Sequence, residues 1–387
     1  MNKSTESHLH GPYPAHWKLE PFNEVLFDIT GGQPKVKQSD YLEIGPLPVV
    51  DQGQSEIGGY VDDKSLVCNV PLPCILFGDH TKIFKWLDSQ FALGADGVKV
   101  LATRDDLFPR YAFHYLRTVR LPGDAGYSRH FKFLKQTFVP LPPLPEQRRI
   151  AAILDKADAI RQKREEGIRL TEDLLRSTFL DMFGDPVTNP KKWPISLMTD
   201  VVTETQYGTA EKSNEDGDGI RVLRMNNITY EGTIDISDMK WCKIEDSERA
   251  KYTVQRGDLL FNRTNSPELV GKTAVWDRDE SYAFAGYLVR VRFNEQSALA
   301  DYVSAYLNSD YGKRMLFAKA KPSNNMSNFS AGEFCRITIP VPPISLQRQY
   351  AKIVENVTKL KRKRYSGLKE ASSLFGSLVQ RAFRGEL

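Results

Sequence analysis

The sequence is poor in the features that would mark a membrane, secreted or metal-dependent protein. No apolar run approaches the roughly 18 residues that a membrane-spanning helix needs, and the segment from Met1 to His10 is polar, without the apolar core of a secretory signal. Only four cysteines occur, Cys68, Cys74, Cys242 and Cys335, and none forms a Cys-x-x-Cys pair. Buried or incidental thiols in a reducing cytosol are therefore expected. His8, His10 and His16 are loosely spaced and have no partner ligands at metal-binding intervals. The stretch Ser266-Pro267-Glu268-Leu269-Val270-Gly271-Lys272-Thr273 has a serine where a phosphate-binding loop requires its first glycine. His80 stands beside Asp79, yet no serine or cysteine nucleophile motif accompanies the pair. No Asn-Pro-Pro-aromatic motif or glycine-rich cofactor loop is present, so no catalytic residue, metal or cofactor is assigned to this chain.

Charge of one sign is also scarce over most of the length. Residues 1–139 carry 15 Lys+Arg against 16 Asp+Glu, 140–186 carry 8 against 9, and 187–339 carry 20 against 21. Residues 340–387 carry 10 against 3, which accounts for the net charge of +4. That excess includes the run Lys359-Leu360-Lys361-Arg362-Lys363-Arg364. Such a run attracts polyanions, but a solvated helix face is the commoner explanation, so charge alone does not decide for nucleic acid.

What the sequence does have is an internal repeat at a spacing of 200 residues. Pro140-Leu141-Pro142-Pro143-Leu144-Pro145-Glu146-Gln147-Arg148-Arg149-Ile150 recurs as Pro340-Val341-Pro342-Pro343-Ile344-Ser345-Leu346-Gln347-Arg348-Gln349-Tyr350. The match continues without a gap through Lys163, Arg164, Gly167, Leu174 and Phe183 and their counterparts Lys363, Arg364, Gly367, Leu374 and Phe383. Proline cannot donate to a central strand, and Pro145 and Ser345 suit the first turn and the N-cap of a helix. Apolar residues then recur at three- and four-residue steps: Ile150, Ile153, Leu154, Ala157, Ile160, Ile168, Leu174, Leu175 and Met182, and likewise Tyr350, Ile353, Val354, Val357, Leu360, Leu368, Leu374, Phe375 and Ala382. Two amphipathic helices of roughly 35 residues, each about 50 Å long, follow from this pattern. Helices of that kind need a partner. About 150 residues separate the two copies, so an antiparallel intramolecular coiled coil with pseudo-two-fold symmetry is expected. Gly167 and Gly367 fit either close backbone packing or a solvent-side position.

The intervening segments repeat more faintly. Ile29-Thr30-Gly31-Gly32-Gln33-Pro34-Lys35 answers to Gln206-Tyr207-Gly208-Thr209-Ala210-Glu211-Lys212, and the segment through Leu76-Phe77-Gly78-Asp79-His80-Thr81-Lys82 answers to that through Leu260-Phe261-Asn262-Arg263-Thr264-Asn265. Short β-type runs broken by Gly and Asn turns, each followed by a candidate helix (Tyr111 to Thr118, Tyr302 to Leu307), argue an α+β fold. The expected order is a domain at 1–139, a helix at 140–186, a domain at 187–339 and a helix at 340–387.

The Pro-x-Pro-Pro-x-x-x-Gln-Arg start of each long helix, the repeat order and the segment Arg256-Gly257-Asp258-Leu259-Leu260-Phe261-Asn262-Arg263-Thr264-Asn265-Ser266-Pro267-Glu268-Leu269-Val270-Gly271-Lys272 resemble the specificity subunits of type I restriction–modification systems. The resemblance covers essentially the whole chain; Ser345-Leu346 departs from the Pro-Glu of the first copy. It implies two target-recognition domains, each reading half of an asymmetric split site in double-stranded DNA. It further implies helices that set the gap between half-sites and dock two modification (methyltransferase) subunits. Those partners would bind S-adenosylmethionine and methylate adenine, and restriction subunits would use ATP and Mg to cleave.

Arginine reads guanine, and asparagine or glutamine reads adenine, from loops or groove-inserted elements. The second domain concentrates such side chains at Tyr207, Thr209, Lys212, Arg224, Asn226, Asn227, Asn262, Arg263, Thr264, Asn265 and Lys272. The first offers Gln33, Lys35, Gln52, Gln54, Asp79, His80, Thr81 and Lys82. The same residue types also cap turns. Lys35 and Lys212 suit phosphate rather than base. Loss of the Asn262 amide is expected to relax one base position, and loss of Lys212 to weaken binding uniformly. Gln147, Arg148, Gln347 and Arg348, duplicated at the helix starts, are candidates for partner docking, with helix capping as the other role open to them. Two rival functions remain: a coiled-coil adaptor bridging two identical proteins, and a nuclease, which would need a carboxylate cluster with a lysine.

Overall fold

The computed structural model describes residues 13–94, 97–122, 129–266, 269–323 and 326–387; at 321–323 and 326 it describes the backbone alone. His8, His10, Pro267 and Glu268 lie outside the described residues. The chain divides into two compact units, Met1–Glu165 with Ser366–Leu387, and Glu166–Tyr365. The division therefore crosses both long helices instead of falling at their ends.

In the first unit, Leu26–Asp28, Val98–Thr103, Cys74–Gly78 and Phe84–Leu87 form an antiparallel sheet in that order. A second sheet orders Lys35–Val36, Ala92–Gly94, Leu47–Val50 and Gly59–Val61, with its first two pairs parallel. Every residue of Cys74–Gly78 is buried because both faces of the strand are covered. Ile75 and Phe77 join the core that includes Tyr111, Phe113 and Leu116 of the helix Pro109–Leu116. Cys74 and Leu76 point the other way, to Leu93 and Val100, as the period of two requires.

The second unit repeats this plan. Val202–Tyr207, Leu288–Phe293, Leu259–Asn262 and Thr273–Val275 form the antiparallel sheet. Lys240–Cys242, Ile220–Leu223 and Ala283–Phe284 form the smaller one, whose last pair is parallel. The α+β class read from the sequence holds. The proline-rich stretches follow two-stranded ribbons, Lys18–Pro21 with Phe138–Leu141 and Ile195–Leu197 with Thr338–Pro340, where a missing donor costs least.

The long helices are Leu144–Phe183 and Ile344–Ala382, of 40 and 39 residues. They pack antiparallel. In the first unit Arg161 lies over the Phe375 ring; in the second, Phe179 meets Tyr350 and Lys361 pairs with Glu172 at 2.6 Å. The seam is not the apolar stripe expected from sequence. Ile150, Leu154, Ala157, Arg161, Ile168, Thr171 and Leu175 face inward, as do Tyr350, Val354, Val357, Lys361, Leu368, Ala371 and Phe375. Ile160, Leu174, Leu360 and Leu374 are instead 50%, 50%, 43% and 56% exposed. Arg161 and Lys361 occupy seam positions by laying their aliphatic stems inward and pairing their charged heads. The glycines have a different purpose from either expected one. The Arg364 guanidinium donates to the Gly167 carbonyl in the second unit, and Arg164 lies against Gly367 in the first. A Cβ at either glycine would meet the arginine that crosses it.

Gln147 and Gln347 are wholly buried, which removes them as docking residues. Each joins its long helix to a short one. Gln147 Oε1 accepts from Phe108 N, and its amide donates to the Asp106 and Pro142 carbonyls, at 2.7, 2.8 and 2.8 Å. Gln347 accepts from Leu299 N and donates to Ser297 and Pro342 at 2.9, 3.0 and 2.8 Å. Phe108 and Leu299 are the N-caps of the helices Pro109–Leu116 and Ala300–Asn308, so each glutamine satisfies an orphan helix-end donor. Gln147→Ala and Gln347→Ala should each destabilise their unit by about 2–3 kcal/mol, read by denaturant unfolding. A loss under about 0.5 kcal/mol would contradict this structural role.

Candidate nucleic-acid interface

In the first domain the candidate side chains hang on three connected loops. Gln33 clasps Asn69, donating to its carbonyl at 3.1 Å and accepting from its N–H at 2.7 Å. Lys35 is exposed on its short strand. The loop after Leu47–Val50 is held from inside. Asp51 Oδ1 accepts from Gly53 N at 2.8 Å, and buried Lys85 donates to the Ser55 carbonyl at 2.5 Å, 3.8 Å from Asp51. Burial lowers the Lys85 pKa, and burial together with the Asp51 charge pushes the Tyr41 hydroxyl, which donates to Asp51, up to about 12. So fixed, the loop presents Gln54 to solvent and places Gln52 Oε1 to accept from His80 N at 3.1 Å. Gly97, at φ +68°, leaves the space that the Gln52 amide and the His80 ring occupy. Asp79 is buried and accepts from Phe131 N at 2.7 Å. Thr81 is exposed at the turn, and Lys82, at φ +61°, donates to the Pro122 carbonyl at 3.1 Å.

In the second domain the polar cluster is more deeply committed. Asn227 is a turn pin: its Oδ1 accepts from Arg224 N and its Nδ2 donates to the Asp235 and Asp238 carbonyls. Arg224 pairs with Asp238 at 2.9 Å. Lys272 donates to the Met225 and Ile228 carbonyls at 3.1 and 2.5 Å, and desolvation lowers its pKa. Thr209 is buried and accepts from Glu211 N; Thr264 donates to Asn328 Oδ1 and Asn265 accepts from Ser266 N. Asn262 is wholly buried, and among the described residues neither amide atom has a partner. A direct base contact by Asn262 is therefore withdrawn, because its side chain points into the domain. Asn226 and Lys212 are exposed. Tyr207 is 41% exposed and carries the Arg263 guanidinium 5.0 Å above its ring. Tyr287, which the sequence reading passed over, is 53% exposed beside them, its carbonyl accepting from Arg263 N at 3.0 Å.

The structure thus brings Gln52, His80 and Thr81 together, and Tyr207, Arg263 and Tyr287, while Asp79, Thr209, Asn227, Asn262, Thr264 and Asn265 serve the interior. A polar residue at the end of a strand looks the same in sequence whether it faces in or out. Of the expected docking residues, Arg148 and Arg348 remain exposed, Arg148 over the Phe108 ring. Among the described residues, no group of three or more His, Cys, Asp or Glu side chains could hold a metal ion, and no helix is long and apolar enough to cross a membrane.

The model of the family described as "Type I restriction modification DNA specificity domain" matches residues 26–170 and 190–370. The EcoKI specificity subunit of Escherichia coli K12 is 25% identical over 64% of this chain and 57% of its own length. The EcoBI specificity subunit of Escherichia coli is 20% identical over 92% of this chain and 80% of its own. A type I restriction–modification S subunit from M. genitalium has a similar fold, with a TM-score of 0.60 at 14% identity over 97% of this chain and 98% of that one.

Proposed function

The chain belongs to the type I restriction–modification DNA specificity family, and from that premise we propose that its two domains each read one half of a split, asymmetric DNA site. The supporting observation is that two domains of one strand order carry unlike side chains at equivalent corners. The residue after Phe77 and Gly78 is Asp79, turned inward, whereas the residue after Phe261 and Asn262 is Arg263, stacked on Tyr207. One scaffold with two different reading edges suits a site whose halves differ.

The partners in this reading are two modification subunits, which hold S-adenosylmethionine, and restriction subunits, which use ATP and Mg, in a prokaryotic cytoplasm. The chain itself holds no cofactor. Exposed Ile160 with Leu374 in one unit, and Leu360 with Leu174 in the other, supply the same apolar pair twice, which fits two copies of one partner better than the buried glutamines do. Both recognition domains are close to neutral, so basic surface from the partners has to supply much of the phosphate attraction. The assembled complex should bind its target with an affinity that falls steeply with salt, and adenine methylation at one bipartite motif should vanish from a host genome when this chain is deleted. A complex that shows no salt-dependent DNA affinity and leaves the methylation pattern unchanged would favour the adaptor function.

A further inference from the structure

Arg263 is a strong cation held in place but not neutralised. Its N–H donates to the Tyr287 carbonyl at 3.0 Å and its own carbonyl accepts from Phe329 N at 2.8 Å, so the backbone is pinned on both sides. The next residue, Thr264, is tied to Asn328 at 2.7 Å. The side chain lies over Tyr207, whose hydroxyl accepts from Ala331 N at 3.1 Å and so fixes the ring beneath it.

Other arginines in this unit are consumed by carboxylates: Arg224 by Asp238, Arg290 by Glu204 and Arg292 by Asp258. Arg263 has no ion pair and no side-chain hydrogen bond among the described residues: its Nε is buried without a partner, as those of Arg224 and Arg290 are, but unlike theirs its Nη atoms have no acceptor either. A half-buried guanidinium without an acceptor is costly to maintain. A ligand that supplies two acceptors in one plane satisfies the Nη atoms and offsets part of that cost.

We propose that Arg263, pre-oriented by Tyr207, reads a guanine in the half-site assigned to the second domain. Guanine presents N7 and O6 side by side in the major groove, matching the planar fork of arginine. Phosphate is the competing acceptor, but a pinned backbone and a stacked planar head suit a fixed base edge more than a mobile phosphate. In the first domain the equivalent residue, Asp79, is turned inward to Phe131, so the guanine contact belongs to one half-site only. This inference rests on the DNA-reading function proposed above.

The test is methylation mapping with the complete complex carrying wild-type chain, Arg263→Ala, Arg263→Gln, Tyr207→Phe or Tyr207→Ala. Arg263→Ala and Arg263→Gln should relax a single guanine in one half-site by about 10- to 100-fold in preference, leaving all other positions unchanged and the unfolding midpoint no lower than that of the wild-type chain. Tyr207→Phe keeps the ring but loses the Ala331 bond that fixes it, so it should relax that guanine less than Tyr207→Ala, which removes the ring altogether. An unchanged motif in both Arg263 variants, relaxation at a base other than guanine, or uniform weakening across all sequences with a smaller salt slope would each overturn the assignment. A wild-type complex that methylates no specific motif would instead overturn the DNA-reading function itself, so the two failures are distinguishable.

Discussion

Inserting one heptad into each long helix, after Glu165 and after Tyr365, is expected to lengthen the unspecified gap in the DNA target by about three base pairs. Seven helical residues add about 10 Å at 1.5 Å each, and a base pair occupies about 3.4 Å. These insertion points lie at the division between the two units. Each unit therefore keeps its own arginine–glycine crossing, Arg164 with Gly367 in one and Arg364 with Gly167 in the other. The inserted seven residues must continue the three-four alternation of the seam, or the added turn will not pair. A heptad placed in only one helix should abolish activity, because all seam contacts beyond it lose their partners. Methylation mapping of the double insertion reads the gap directly. A gap that stays at its wild-type length would end the idea that these helices act as a ruler between half-sites.

The architecture was legible because it was written twice. A start such as Pro-x-Pro-Pro-x-x-x-Gln-Arg carries little on its own, but two copies in register over more than 40 residues identify a pair of helices able to clasp each other. The seam was read one step off at several places for a physical reason. Counting apolar residues admits Ile160 and Leu174, which are exposed, and omits Arg161 and Lys361, whose stems pack inward while their heads find Asp158 and Glu172. Charge hides a seam position from any apolar count.

The candidate interface was legible only as a neighbourhood. Asn227 and Arg263 are both polar residues just past buried strands, yet one holds a turn together with three hydrogen bonds and the other has no acceptor among the described residues. Base edges and turn backbones offer the same donors and acceptors, so composition cannot separate a reader from a pin. Gln147 shows the same limit. Its duplication as Gln347 signals importance, but a helix-end N–H inside the chain is the partner, and no second protein is needed to explain it.

If the complex holds the two modification subunits proposed above, placing aspartate at Ile160 and Leu374 together is expected to leave it with one, and adding aspartate at Leu174 and Leu360 to abolish subunit binding altogether. The seam runs through Arg161 and Phe375 at that level of the first unit, so the residues just before them, Ile160 and Leu374, flank it without filling it. Their exposures of 50% and 56% mean that charge there leaves the core intact. Leu360 stands in the same relation to Lys361, whose Glu172 partner lies one half-turn from Leu174. A lone exposed leucine needs no explanation. The same exposed pair contributed once by each unit, from helices that repeat at 200 residues, is what two identical partners require. Burying roughly two such side chains contributes on the order of 3–6 kcal/mol at each site, and a desolvated carboxylate in their place reverses the sign. Mass measurement of the assembled complex resolves the stoichiometry, with the unfolding midpoint of the free chain as the control for folding. Full assembly of both the double and the quadruple aspartate variant would move the docking surface elsewhere, with exposed Arg148 and Arg348 at the helix starts the next residues to change.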